Sequence, residues 1–123
     1  MKKFFPLLIL ALTSCVKEGP GGQVTLVAFP KHHSKPIPNA MVYIKYGTND
    51  FPGTTTSAYD DSGVAVIEGT LDPHYHFENL KKGKYYLYSV GYDSAIAQTV
   101  TGGIPVKINV KAGEVDVVVP VTE

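Results

Sequence analysis

The chain has one cysteine, Cys15, and no tryptophan among its 123 residues. A single thiol excludes an internal disulfide framework and a thiolate metal cluster. An excess of either charge is missing as well, since 11 Lys+Arg face 11 Asp+Glu. That balance lacks the basic footprint on which nucleic-acid affinity rests, so no nucleic-acid partner is expected. Apolar residues at helical spacing between caps are absent. No serine stands in a G-x-S-x-G context, and no glycine loop suited to cradling phosphate is present, Gly102-Gly103 being an isolated pair. With no catalytic set in view, neither an enzyme nor a cofactor is expected.

What is present begins with an address. Lys2 and Lys3 precede an apolar run, Phe4 to Leu12, interrupted only by Pro6. The run is far short of the roughly 20 residues that span a bilayer. A basic start followed by a short apolar core is the pattern of a secretory signal peptide. The segment Leu12-Thr13-Ser14-Cys15 resembles a bacterial lipobox. That resemblance implies removal of residues 1–14 and acylation of Cys15, with palmitate-type chains, giving a membrane partner through a lipid anchor. Each buried CH₂ of an acyl chain adds about 0.8 kcal/mol of membrane affinity. Removal of residues 1–14 takes two lysines and no acid, leaving a net charge of −2. Val16 to Gln23, VKEGPGGQ, is rich in Gly and Pro and without hydrophobic period, so residues 15–22 are expected to be a flexible tether from Cys15. Lys17 in place of an aspartate disfavours retention at the inner membrane, by the same resemblance. Lys17-Glu18 resembles the charged export tags of Bacteroidetes surface lipoproteins. Outer-membrane residence is expected, on either the periplasmic or the surface face.

Residues 23–123 are expected to form one all-β domain, an antiparallel sandwich of about seven strands. The stretch Leu80 to Asp93 organises it. Lys81-Lys82-Gly83 is a turn, and Tyr85 to Val90 is dense in β-favouring residues. Tyr85, Leu87 and Ser89 share one face of that strand, and Tyr86, Tyr88, Val90 and Tyr92 the other. Further strands are expected over Val24 to Phe29, Asn39 to Tyr46, Val64 to Glu68, and Ile104 to Val110. A last strand places Val115, Val117, Val119 and Val121 on one face. Thr54 to Ala58, rich in β-branched residues, is expected as a short edge strand. Pro30 to Pro38 reads as a loop. Tyr59 to Gly63 reads as a turn in which Gly63 takes a positive φ, and Lys111 to Glu114 as a hairpin-like turn.

The order of these signals resembles a known family. Pro36-Ile37-Pro38-Asn39-Ala40-Met41-Val42-Tyr43-Ile44 precedes a D-x-x-G turn at Asp60 to Gly63, and then Leu80, Gly83 and Tyr85 supply a leucine and G-x-Y. This is similar to the carboxypeptidase regulatory-like domains, prealbumin-like (transthyretin-like) sandwiches with an Ig-like look. The resemblance covers about residues 23–122 and implies a fold with Tyr85 and Leu87 in the core, but no chemistry. Glu68 to Asn79 is longer than the corresponding passage in that family and is the most individual part of the chain.

Two constellations carry candidate chemistry. His32-His33 and His74-x-His76 contain all four histidines. His74 and His76 fall on one face of an extended segment, and imidazoles suit zinc or copper. Two such pairs brought together make a metal site, with Asp72 and Glu78 the nearest acids. Tyr86, Tyr88 and Tyr92, joined by Tyr43 of the second strand, form an outward aromatic stripe suited to an envelope protein or a glycan. Asp50, Asp60 and Asp61 lack the regular acidic spacing of a calcium loop and read as turn residues. The expected function is a lipid-anchored, non-catalytic binding module of the cell envelope. The alternatives are a histidine-based copper or zinc binder, and a structural subunit that pairs through the Thr54 to Ala58 edge.

Overall fold

A computed structural model describes residues 18–123. Cys15, the expected signal peptide and the first three residues of the expected tether, 15–17, lie outside those residues. The strands are β1 (Pro20–His32), β2 (Lys35–Pro36), β3 (Met41–Tyr46), β4 (Asp61–Val64), β5 (Tyr75–Leu80), β6 (Gly83–Asp93), β7 (Gln98–Ile108) and β8 (Ala112–Pro120). They form two sheets. In the first, β1 pairs with β2 and β5 along one edge and with β8 along the other. The second has the order β4-β3-β6-β7. The two sheets pack as the expected all-β sandwich.

Alternation builds the core. Val24, Leu26 and Ala28 of β1, Val42 and Ile44 of β3, Tyr85 and Leu87 of β6, and Val106 and Ile108 of β7 are all buried in one cluster. Each such side chain contributes about 1.5–3 kcal/mol when fully buried. Tyr85 is the largest of them, and its phenol is fully paired. Its hydroxyl donates to the Lys81 carbonyl at 2.6 Å and accepts from the Gly19 N–H at 2.9 Å. Burial pushes that phenol's pKa above its ordinary value. Gly19 is therefore held against the core, and β1 begins at Pro20, inside the segment expected to be a tether.

Several local expectations are corrected. Thr56–Ala58 is a single 3₁₀ turn, not an edge strand. The reason is that the edge of β3 is already taken by β4, which pairs Met41 with Val64 and Ile44 with Asp61. The D-x-x-G segment is accordingly strand from Asp61 onward, and the strand expected at Val64 to Glu68 ends at Val64. Gly63 has no left-handed φ; a Cβ there would overlap the ring of Tyr75 on the facing sheet. Its glycine is a clearance requirement. Within the expected loop Pro30 to Pro38, β1 and β2 form a tight hairpin around His33 and Ser34, both at positive φ. Lys111 to Glu114 is no hairpin, because β7 and β8 lie in different sheets and β8 runs parallel to β1. The chain then crosses back, and Thr122 bridges to Thr101 of β7 through two backbone hydrogen bonds. Among the described residues no helix is long and apolar enough to cross a membrane.

Candidate functional site

The expected aromatic stripe is present, but it is roofed. The connection between β3 and β4 folds over the outer face of the second sheet and lays Phe51 and Tyr59 on it. Phe51 packs against Tyr86 at 5.7 Å and Tyr88 at 5.6 Å between centroids. Tyr59 stacks on Tyr88 at 5.7 Å with the rings 14° from parallel, and Tyr43 lies 5.7 Å from Tyr59. Asn49 pins the connection down, its amide donating to the Tyr85 and Val106 carbonyls at 3.1 Å each. Tyr88 is thus 5% exposed and not available to a partner, whereas Tyr43, Tyr59 and Tyr86 are half-buried and Phe51 is open. Tyr92 is exposed on the same strand face, two positions beyond Val90. Burial pushes the Tyr59 phenol up to about 12 and raises that of Tyr86, so both stay neutral at working pH.

Beside these rings is a cleft of about 410 Å³, walled by Tyr43 and Tyr59 and rimmed by Thr56, Ser57, Asp60 and Ser62. Phe51 and Tyr59 escaped the sequence reading because they belong to a loop. The only signal was two aromatics in a segment otherwise made of turn residues. The aspartates bond to backbone and not to one another: Asp60 ties the connection to β3 by accepting from the Tyr46 N–H at 2.7 Å, and Asp61, at the start of β4, accepts from the Ser62 N–H at 2.8 Å.

The two histidine pairs fall into separate clusters, His74 and His76 with Glu68, His32 and His33 with Glu123. His32, at the end of β1, is buried. Its Nδ1 donates to Asp93 Oδ2 at 2.8 Å, and its Nε2 lies 2.7 Å from Glu123 Oε1 as an ion pair. Asp93 also accepts from Lys35 Nζ at 2.8 Å and from the Ala95 N–H at 3.0 Å. The hydrogen bond to Asp93 raises the His32 pKa, with Glu123 adding to the effect against desolvation. His32 and Lys35 in turn hold the Asp93 carboxyl at about 2. Nδ1 of His32 is committed to Asp93, while its buried Nε2 faces Glu123 without a hydrogen bond, and exposed His33 lies beside them.

The second cluster sits on the outer face of the first sheet. Val66 and His74 form an antiparallel bridge closed by two 3.0 Å backbone bonds, which folds the long passage back over β5 and brings Glu68 above it. Glu68 Oε1 lies 3.4 Å from His74 Nε2 and 3.6 Å from His76 Nε2. An open groove of about 510 Å³ runs along these residues and includes Asp61 and Glu78. Across the sheet, His76 is in register with Val27 and Val27 with Asp116. Asp116 raises the pKa of neighbouring Glu114, while His76 and His74 oppose that shift, so the acids of β8 lie within the field of the histidines. Of the acids singled out from sequence, Asp72 serves through its backbone carbonyl, with its side chain paired to Lys31 at 3.2 Å. Glu68 was missed because only the Val66–His74 bridge brings it near.

In comparison with known proteins, the chain matches no protein-family model, no curated protein and no solved structure.

Proposed function

We propose that the protein is a non-catalytic binding module of the cell envelope, lipid-anchored through Cys15, that holds a glycan against its second sheet. The observation that carries this reading is the cleft beside the packed rings of Tyr43 and Tyr59. Its volume of about 410 Å³ is in the range of small-molecule sites, and Thr56, Ser57, Asp60, Asp61 and Ser62 make most of its lining polar, as a hydroxyl-rich ligand requires. Neutral aromatic faces receive the C–H face of a sugar ring, and a rim of hydroxyls and carboxylates meets its hydroxyls. The roof over Tyr88 supports the same reading, since a platform built of interlocked rings is rigid before the ligand arrives and loses little on binding.

The test is an NMR titration of the tag-free protein with envelope oligosaccharides. The expected result is saturable shifts at Tyr43, Tyr59 and the Thr56 to Ser62 segment, lost in Tyr43→Ala. Capture of an envelope protein with no response to any saccharide overturns the glycan reading. Anchoring is tested separately by Cys15→Ser, which is expected to release the protein from membranes; a protein that stays membrane-bound defeats the anchor.

A further inference from the structure

The geometry points to a second site, independent of the aromatic cleft: Glu68, His74 and His76 form a binding site for one divalent first-row transition ion, zinc or copper. His74 Nδ1 lies 2.7 Å from the Asp72 carbonyl oxygen. A carbonyl only accepts, so that nitrogen carries the hydrogen, and in the neutral ring the lone pair is on Nε2. That lone pair faces the Glu68 carboxylate oxygen at 3.4 Å. Two acceptors turned toward each other repel unless a proton or a metal ion lies between them, and a gap of 3.4 Å is the separation taken by two ligands of one ion. An imidazole whose far nitrogen is anchored on a carbonyl is also the usual supporting arrangement of a metal-ligating histidine.

His76 completes the set. Strand alternation puts it on the same face as His74, and the two rings lie 4.8 Å apart edge to face. Its Nε2 is buried without a hydrogen-bond partner and lies 3.6 Å from the same Glu68 oxygen. The three ligand atoms lie within 4.8 Å of one another. Bonds of about 2.0–2.2 Å at a tetrahedral centre require ligand separations of about 3.4 Å. The two separations to Glu68 already have that size. Glu68 is 72% exposed in its side chain and free to adjust to the ion, while His74, 1% exposed, is the fixed member. Two imidazoles and one carboxylate are the donor set of zinc and copper rather than of calcium or magnesium, which take oxygen. The open groove leaves the fourth position to water.

The deciding experiment is calorimetric titration of the tag-free full chain, held in detergent, with zinc chloride and with copper chloride. One ion is expected to bind per chain, with His74 and His76 ring resonances shifting together. His76→Ala and Glu68→Gln test the ligands, since both residues are partly open and their removal spares the fold, unlike that of buried His74. Each is expected to weaken binding by at least about tenfold, and His33→Ala to leave it unchanged. Bound ion is also expected to raise the melting temperature of the native chain and not that of His76→Ala. Absence of stoichiometric uptake, or uptake that His76→Ala leaves intact, overturns the site.

Discussion

His32 of β1 and Asp93 of β6 meet at 2.8 Å between Nδ1 and Oδ2, with side chains 5% and 3% exposed, and so tie the end of one sheet to the end of the other. Glu123 on the far side of the ring and Lys35 on the far side of the carboxylate extend this pair into a chain of four charges. An imidazolium between two carboxylates is a charged clamp, and its strength depends on pH.

The His32 pKa is raised in the fold, so its contribution is complete below 6.5 and is lost as pH climbs through the raised value. The Asp93 pKa is lowered to about 2, so its contribution is complete above 3.8 and is lost as pH falls through about 2. Glu123 follows Asp93 in direction. Thermal melts are therefore expected to be highest between these limits and to fall on the alkaline side. His32→Gln should flatten the alkaline fall. A wild-type melting temperature that rises from pH 6 to 9 contradicts the clamp.

Tyr88 and Tyr92 share a strand face but not a role. Tyr88→Ala removes the ring on which Tyr59, Phe51 and Tyr43 rest and should cost about 3–5 kcal/mol in urea unfolding. Tyr92, 56% exposed, should lose no more than about 0.5 kcal/mol on the same change. Equal losses would mean that the roof is not packed on Tyr88.

Gly63 and Tyr75 form a coupled pair across the sandwich. Gly63→Ala drives a methyl into the Tyr75 ring and should destabilise by about 1–3 kcal/mol. In the Tyr75→Ala background the same methyl has room, so the two losses should sum to more than the double variant's loss. Strict additivity counts against the contact.

Asn49 offers two hydrogens to two carbonyls, one on β6 and one on β7. Asn49→Leu strands both acceptors, at a cost of about 1–3 kcal/mol. Asn49→Asp should be worse than Asn49→Leu, because it turns a carboxylate toward the same two oxygens. Denaturant midpoints of the two variants settle the order.

The two-sheet architecture and the inward face of β6 were legible because they rest on alternation, and Tyr85, Leu87, Val42 and Ile44 alternate cleanly. Thr54 to Ala58 and Asp61 to Val64 were exchanged because local preference ranks threonine above aspartate and glycine in a strand. The contest was for one edge of β3, and Gly63 won it by leaving room for Tyr75. The H-x-H spacing put His74 and His76 on one face of an extended segment. Their carboxylate could not be read, since Glu68 is six and eight residues away and arrives only through a backbone bridge. The pairing of His32 with Asp93 spans 61 positions and carries no local signal.

The parallel run of β1 beside β8 has a mechanical consequence. Its nine registered pairs, from Gln23 with Ala112 to Lys31 with Pro120, lie along the direction in which a pull on the Gly19 end would act. Such a load meets those rungs in shear, all at once, and does not unzip them singly. A module leashed by its leading strand would in this way keep its shape while the surface beneath it moves.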